Sequence, residues 1–437
     1  MQQTARMDRR GGNRRPHFAA GPALSRIPQV FLALLLTIFG GCANPSASPT
    51  PDAPAPDTST PTASARFDES THSLQFGDTR STAVLLLPKP QPRPERAPHS
   101  TLTTPLNPPT PTPPPTRHPA LLWIGGFGPV DRDESFGIDT DGTPISTLAR
   151  TTCESFAERG FVSLRYDKRH VRGRFAVDRA RFLDVGLREF VADAATALAW
   201  LRARPEVDAR RVILIGYDEG ARVAVQLAHT IDPSPRGVVL LSPIVDTMAE
   251  TFRQQAAHSA VPYLRRYASG STIDPIAIGE ARLDPAGVVA RRIVDALLDP
   301  RAISRPRISR RFDLDGNGRL HLTDELVPAW RRLFDPPDPR LDPPNIPTIL
   351  EQWPPPVPTL IVHGAHDDTV AATTVAPLRT DENAVELAIL PGLGHTLGRA
   401  ASPADDAHRS IEPTALQRVA DWLEKLTATA LTAPTAR

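Results

Sequence analysis

The sequence predicts an α/β architecture, in which a mostly parallel β-sheet is covered on both faces by helices. Short apolar runs alternate with stretches of helical periodicity over residues 120–246 and again over residues 356–426. A strand buried on both faces is a continuous apolar run, so this alternation indicates parallel rather than antiparallel pairing. Residues 247–355 interrupt the alternation and are mainly helical in pattern. We expect them to form a cap inserted over one edge of the sheet.

Each predicted element corresponds to one apolar or amphipathic segment. Residues 72–87 contain two strand-like pieces. The other predicted strands cover residues 120–124, 161–166, 211–215, 237–241, 359–362 and 384–390. The predicted helices of the core cover residues 146–159, 187–204, 220–230 and 413–426. In the second of these helices Phe190, Ala194 and Leu198 share one stripe, as in a helix packed on a sheet.

The composition limits the classes of function. The chain has 437 residues, 49 of them proline, and a formal net charge of +1. Interspersed charges of both signs give no reason to expect a nucleic-acid partner. Two cysteines exclude a disulfide framework, and Cys153 is expected to be a buried small residue. The proline-rich segment 88–119 has strands on both sides, so we interpret it as a long loop inside the domain; a linker between two domains is the alternative.

The first 42 residues have the pattern of an export signal. An arginine-rich segment precedes the apolar run 30–39, and Gly-Gly-Cys follows it. The run is short for a membrane span, which takes about 20 residues. The ending resembles a bacterial lipobox, and that resemblance implies that Cys42 is lipidated and becomes the mature N-terminus. A cleaved soluble form and a membrane anchor are the alternatives.

Residues 43–66 are rich in proline, serine and threonine and predict an extended tether between lipid and domain. Ala43 lacks the aspartate that favours inner-membrane retention in enteric bacteria. We therefore expect a lipid-anchored protein of the bacterial cell envelope, at the outer membrane or cell surface.

The segment 212–221 predicts a strand, a sharp turn and a helix. Gly216 and Gly220 flank the turn, and Asp218 lies between them. This is the pattern of a nucleophile elbow, in which two glycines allow a tight reversal and the central side chain, usually serine, is exposed. Two further candidates follow later strands. Asp367 stands three residues after Gly364, and His395 follows the strand 384–390.

This chain order of nucleophile, acid and histidine resembles that of the α/β-hydrolase fold. Residues 125–134 (Gly-Gly-Phe-Gly-Pro-Val-Asp-Arg-Asp-Glu) resemble a loop of its bacterial esterase and serine-aminopeptidase-like branch, and residues 166–169 (Tyr-Asp-Lys-Arg) resemble a second motif of that branch. The resemblance covers residues 70–246 and 355–426. It implies that His395 is the base, that Asp367 orients it, and that the amides of Phe127 and Glu219 form an oxyanion hole. A turn-forming aspartate and a surface histidine are the alternatives for Asp367 and His395.

Aspartate at the elbow changes the chemistry that this frame predicts. A carboxylate needs no base before it attacks, and on an electrophilic carbon it forms an ester that a histidine-activated water hydrolyses. With an aspartate at the elbow the chain resembles haloalkane dehalogenases and epoxide hydrolases, although those enzymes usually carry tryptophan where this chain has Glu219. Tyr263 and Tyr267 of the cap are candidate donors for a leaving group, but a structural pair is the commoner meaning of their spacing.

We therefore expect an exported hydrolase acting on a small-molecule or acyl substrate, with Asp218 as nucleophile and His395 and Asp367 activating water. Residual ester or amide hydrolysis and alkyl-ester chemistry of the epoxide or haloalkane type both remain open. The alternative is a binding or scaffold protein that has lost its nucleophile.

The cap contains a second motif, at residues 313–324. It resembles an EF-hand calcium loop, with oxygen ligands at positions one, three and five, glycine at six and a backbone carbonyl at seven. The implied ligands are Asp313, Asp315, Asn317, the carbonyl of Arg319, and Asp324 in place of the usual glutamate. We expect weak, structural Ca²⁺ binding; an ordinary Asp/Gly turn without metal is the alternative.

Overall fold

The computed structural model describes residues 66–89, 117–139, 141–174, 176–302, 305–380 and 384–428. The predicted signal segment, Cys42, nearly all of the tether and most of the loop 88–119 lie outside the described residues. In the described part of the chain, no helix combines the length and apolar character that a bilayer-crossing segment requires.

Eight strands form the central sheet, in the order β1-β2-β4-β3-β5-β6-β7-β8. Their bounds are β1 Phe67–Phe76, β2 Thr79–Pro88, β3 His118–Ile124, β4 Val162–Tyr166, β5 Val207–Tyr217, β6 Gly237–Leu241, β7 Thr359–Gly364 and β8 Val385–Leu390. The hairpin β1–β2 is antiparallel and β2 runs antiparallel to β4, whereas the remaining neighbours are parallel. The predicted α/β class is confirmed.

The described helices of four residues or more lie on both faces of this sheet and in the cap. They are α1 Leu148–Ala157, α2 Arg179–Phe182, α3 Leu187–Arg202, α4 Glu219–Thr230, α5 Met248–Gln255, α6 Val261–Leu264, α7 Pro275–Ala281, α8 Val288–Leu297, α9 Val327–Arg332, α10 Ala372–Val375 and α11 Pro413–Ala428. Successive strand residues alternate between two apolar layers. Leu122 packs with α3 and α4, and its neighbour Leu121 packs with α1 and α11.

The cap follows β6 and ends before β7. It contains helices α5 to α9 and two π-helical turns, Ala256–Ala260 after α5 and Leu322–Leu326 before α9. Its buried side chains, including Phe252 and Trp330, join the apolar layer that holds α3 and α4. The cap is thus packed onto the carboxyl edge of the sheet, where the loops after β3, β5, β7 and β8 meet.

Candidate active site

Asp218 lies in the turn between β5 and α4. Its backbone has φ 54° and ψ −117°, a conformation that is strained for a residue with a side chain. A Cβ on Gly216 would lie 2.4 Å from the Gly220 carbonyl oxygen, and one on Gly220 would lie 2.1 Å from the Ile124 carbonyl oxygen. Only glycines allow this approach, so the elbow predicted from the glycine spacing is formed and presents Asp218 above the sheet.

The structure brings Asp218, Asp367 and His395 together. His395 Nδ1 lies 2.9 Å from Asp367 Oδ2, and His395 Nε2 lies 3.7 Å from Asp218 Oδ1. The three residues are only 6 %, 0 % and 3 % exposed. The neighbouring Asp368 faces another histidine, His408, at 3.1 Å. The carboxylate that orients His395 is therefore Asp367, as the spacing from Gly364 predicts.

The two carboxylate oxygens of Asp218 have different surroundings. Oδ2 accepts a hydrogen bond from the Phe127 amide at 2.8 Å, whereas Oδ1 is buried and has no hydrogen-bond partner. The Glu219 amide belongs to the first turn of α4, where helical N–H groups have no partner within the helix. One oxygen of Asp218 is thus held where an oxyanion would lie, and the other is free beside His395.

The loop that carries Phe127 is held from two sides. Lys168 Nζ donates to the Gly126 carbonyl and lies 3.1 Å from Glu219 Oε2. On the other side Glu134 accepts the Gly126 amide at 2.9 Å and the Trp123 indole N–H at 3.0 Å. Burial raises the pKa of Glu134 to about 7, although both hydrogen bonds favour its ionised form. These contacts orient the Phe127 amide toward Asp218.

Two carboxylates beside His395 favour its cationic form. Burial alone would lower the pKa of His395, but Asp367, followed by Asp218 and Asp368, outweighs burial and raises the pKa to about 10. Burial would raise the pKa of Asp367, yet His395 and His363 bring it down to about 2. The free protein at neutral pH therefore contains an imidazolium between two carboxylates.

A second polar group next to the triad was not predicted from the sequence. Asp406 Oδ2 accepts the backbone amides of His395 at 2.5 Å and Asp368 at 3.3 Å. The His408 ring lies 5.3 Å from the His395 ring, and its Nε2 meets Asp368. These residues lie in an irregular segment with no periodic pattern. Their closeness to His395 in the sequence was therefore the only sign that they belong to the site.

The cap covers the triad through backbone contacts. His258 Nε2 lies 2.5 Å from the Asp367 carbonyl oxygen, and the Ser259 hydroxyl donates to the Asp368 carbonyl oxygen at 2.6 Å. The two cap tyrosines face elsewhere: the Tyr263 hydroxyl donates to the Ala281 carbonyl oxygen, and that of Tyr267 donates to Asp284. They form a structural pair and do not supply phenols to Asp218.

In the segment that resembles an EF-hand loop, the third acid that lies near Asp313 and Asp315 is Glu325 and not the expected Asp324. Oxygen atoms of Asp313, Asp315 and Glu325 lie within 4.8 Å of one another. Glu325 also accepts the amides of Leu314 at 2.7 Å and His321 at 2.8 Å. The carboxylate of Asp324, the expected ligand, lies instead 3.3 Å from His321 Nδ1.

The remaining expected ligands stay within the loop. The Arg319 amide donates to Asn317 Oδ1 at 2.7 Å, and the Gly318 amide donates to Asp313 Oδ2 at 3.2 Å. The other Asp313 oxygen is buried without a partner. This set of hard oxygen donors fits the ligand preference of Ca²⁺.

Comparison with solved structures gives similarities at low sequence identity. A hypothetical protein from Pseudomonas aeruginosa is 18% identical, with 83% of this chain and 95% of that chain covered and a TM-score of 0.44. An α/β hydrolase from Penicillium sp. is 17% identical (83% and 99% covered, TM-score 0.43). A thermophilic esterase from the Planctomycetes species Thermogutta terrifontis is 17% identical (84% and 95% covered, TM-score 0.42).

No protein with a curated description matches the sequence significantly. The family model of the X-Pro dipeptidyl-peptidases (S15 family) matches residues 105–392, which is more than half of the chain. The matched region includes the Phe127 loop, the Asp218 elbow, the whole cap and Asp367, and it ends three residues before His395. The chain therefore belongs to the X-Pro dipeptidyl-peptidase (S15) family and is a hydrolase of the α/β fold.

Proposed function

We propose that this protein hydrolyses a bond at a saturated carbon, through an alkyl ester formed on Asp218. The observation that carries the proposal is the asymmetry of the Asp218 carboxylate. Oδ2 is held by the Phe127 amide at 2.8 Å, and Oδ1 is buried, unpartnered and 3.7 Å from His395 Nε2. One oxygen is thus placed as a nucleophile and the other as the future carbonyl oxygen of the ester.

In the first step Asp218 Oδ1 attacks the electrophilic carbon. A new carbon–oxygen bond forms and the bond to the leaving group breaks: a halide departs as the anion, whereas the oxygen of an opened epoxide stays on the product and takes the proton of the His395 imidazolium. Asp218 then no longer carries negative charge, so one of the anions that raise the pKa of His395 is lost. This loss lowers the pKa of His395 and so favours release of its proton to solvent, after which the neutral ring acts as a base.

In the second step neutral His395 takes a proton from water, and the oxygen of that water adds to Cγ of Asp218. The negative charge that develops on Oδ2 is stabilised by the Phe127 amide and by the first-turn amide of Glu219. Collapse expels the alcohol product. The carboxylate returns with one oxygen derived from water.

The family name refers to cleavage after an X-Pro dipeptide, and the usual attacking group at a nucleophile elbow is a serine hydroxyl. Attack of a carboxylate on an amide would give a mixed anhydride, a more reactive species than the amide, and would expel a poor leaving group. We therefore propose alkyl-halide or epoxide substrates rather than peptides. A binding protein that has lost its nucleophile is the rival, and the following experiment separates the two.

Trapping tests the proposal directly. The His395→Ala protein is incubated with panels of haloalkanes, epoxides and esters. The intact mass of the full chain is then measured by mass spectrometry, and peptide mapping locates any modified residue. We expect one stable alkyl adduct on Asp218, because the ester forms but is not hydrolysed without the base. Asp218→Asn is the matched control, since it keeps the shape of the side chain and lacks the nucleophile.

Isotope labelling gives the second readout. During turnover in ¹⁸O-water, wild-type Asp218 should acquire label from the water that attacks Cγ. No adduct with any panel member, no label and no turnover would overturn the enzymatic proposal in favour of the binding protein. An acyl adduct from the ester panel would overturn the preference for saturated carbon.

We further propose that the loop at residues 313–325 binds Ca²⁺ and rigidifies the cap. The side chains of Asp313, Asp315 and Asn317 and the carbonyl of Arg319 would hold the ion, with Glu325 or Asp324 completing the set. Support comes from the 4.8 Å cluster and from the unpartnered Asp313 oxygen. The neighbouring strands, which pair Thr272 with His321, join this loop to the rest of the cap.

Thermal unfolding tests the calcium proposal. Adding Ca²⁺ should raise the Tm of wild type and EDTA should lower it, whereas Asp313→Ala should respond to neither. Asp324→Asn and Glu325→Gln identify the terminal ligand, because only substitution of the true ligand reduces the rise in Tm that Ca²⁺ produces. A wild-type Tm that is indifferent to Ca²⁺ would show that the loop is an ordinary turn.

Export and anchoring are proposed on the sequence pattern alone. We propose lipidation at Cys42 and location in the cell envelope. Labelled palmitate should enter the wild-type chain and not Cys42→Ala, and fractionation should find wild type with membranes. Equal labelling of both proteins, or labelling of neither, would contradict the anchor.

A further inference from the structure

Two polar side chains of the cap have hydrogen-bonding groups without partners. Arg292, on α8, donates from Nη2 to Gln255 Oε1 at 2.8 Å, and its Nε is buried and unpaired. Gln255, the last residue of α5, is 1 % exposed, and its amide nitrogen is also buried and unpaired. Buried N–H groups without acceptors are costly, and a bound acceptor would relieve that cost.

The cap elements that carry this pair lie over the catalytic groups. On α5, Phe252 packs against Phe127 with 5.4 Å between ring centroids, and His258 of the next turn contacts the Asp367 backbone. Gln255 stands between them in the chain. On α8 the Val289 amide donates to Asp368 at 2.9 Å, and Arg292 follows one helical turn later on the same face. Both side chains therefore come from the cap surface that covers the triad.

The charge on Arg292 is only partly compensated. Burial lowers its pKa to about 10, and Asp368 and Asp218 are the anions that oppose this lowering. Among the described residues, no carboxylate lies within 4.0 Å of its nitrogens. A guanidinium with a free Nε–H beside an amide NH₂ offers a planar set of donors, which suits a carboxylate.

We propose that Arg292 and Gln255 bind the carboxylate of an organic-acid substrate. The carbon that reacts with Asp218 is the saturated carbon next to that carboxylate. This inference rests on the proposed function and names the substrate class of the same site. The cap cation would offset the repulsion that Asp218 exerts on an anionic substrate. Because Asp218 and His395 are almost fully buried, the substrate is a short acid without a bulky chain.

For an acid with a leaving group on that carbon, the reaction balances without any co-reactant. Asp218 Oδ1 displaces the leaving group, which departs as an anion, and the ester carries the substrate carboxylate against Arg292. Water then hydrolyses the ester to give a hydroxy acid, and His395 passes one proton to solvent. The net reaction consumes one water and releases one anion and one proton.

The test compares two reagents of similar size that differ in charge. Bromoacetate carries the carboxylate, whereas bromoacetamide is neutral, and each is incubated with the full-length His395→Ala protein. We expect bromoacetate to alkylate Asp218 at least about tenfold faster, as a charge-assisted hydrogen bond predicts. Arg292→Gln in the same background should remove the preference. Arg282→Gln is the matched control, since Arg282 lies on the cap surface and pairs with Asp295.

Binding without chemistry is the second readout. Acetate should raise the Tm of wild type and of Arg282→Gln, and have no effect on Arg292→Gln. It should also have none on Gln255→Glu, because the new carboxylate would pair with Arg292. Alkylation of Asp218 by bromoacetamide at the rate of bromoacetate would overturn this inference and leave the proposed function standing. If neither reagent nor any haloalkane, epoxide or ester of the panels alkylates Asp218, but acetate still stabilises the protein through Arg292, the proposed function fails and the anion site remains.

Discussion

At the scale of single residues, the site depends on the charge of His395, whose ring lies between the carboxylates of Asp367 and Asp218. Asp218, Asp367 and His395 were predictable because each follows a strand at a position that the α/β-hydrolase order specifies. Arg292 was not, since one arginine in an amphipathic helix is usually a solvated side chain. The position of Glu325 beside Asp313 and Asp315 was not predicted either, because the EF-hand pattern places its last acid at residue 324. Each omission concerns contacts made across the chain, which local spacing does not record.

The raised pKa of His395 leads to a prediction about stability. The unfolded chain releases this proton near the ordinary pKa of 6.5, whereas the folded protein keeps it until about pH 10. The folded state thus binds more protons between these values, so the free energy of unfolding should fall as pH rises from about 6.5 to 10. Urea unfolding of wild type and His395→Gln across that range measures the difference. The variant should show a smaller decrease, because other groups titrate equally in both proteins; parallel curves would contradict the assigned charge.

At the scale of elements, apolar runs predicted the sheet well and the cap poorly. The predicted strand 211–215 is the apolar part of β5, which begins at Val207. Residues 208–211 of β5 are Asp, Ala, Arg and Arg, which give no apolar run, yet the strand already pairs with β3 at Val207 and His118. Inside the cap, π-helical turns interrupt the helices, and no hydrophobic period marks them. Strand positions follow from burial on both faces, whereas the cap depends on packing against the core.

The close packing around the elbow glycines leads to a prediction about stability. Gly220→Ala would place a Cβ 2.1 Å from the Ile124 carbonyl oxygen, so β3 and α4 must separate. We expect a loss of at least about 2 kcal/mol of stability, as for overpacking against backbone, together with loss of Asp218 alkylation. Gly279→Ala is the control: it lies in α7 with nothing within 4 Å, and alanine should stabilise it by about 0.5–1 kcal/mol. Denaturant midpoints of both variants check this, and similar midpoints would show that the elbow tolerates a Cβ.

At the scale of the whole molecule, cap and core are joined by buried polar contacts as well as by apolar packing. Asp342, near the end of the cap, accepts Arg222 of α4 at 2.8 Å. It also accepts the amides of Met248 at 2.7 Å and Ala249 at 2.9 Å, which begin α5. One carboxylate therefore connects the helix after the elbow to the cap helix that carries Gln255. Because these residues lie far apart in the sequence, no local pattern could have predicted this connection.

Removing this carboxylate should loosen the cap. Asp342→Ala would leave Arg222, which is 1 % exposed, without its ion-pair partner and would remove the acceptor of the Met248 and Ala249 amides at the start of α5. Breaking such a buried pair costs about 3–5 kcal/mol, whereas Asp295→Ala, in an exposed pair with Arg282, should cost at most about 1 kcal/mol. Hydrogen exchange should show faster exchange of the amides at residues 248–255 in Asp342→Ala alone. Asp342→Ala should also lower the alkylation rate of Asp218 in the His395→Ala background, since α5 would no longer hold Gln255 over the site. Equal stability losses in the two variants, or unchanged exchange in α5, would mean that apolar packing alone holds the cap.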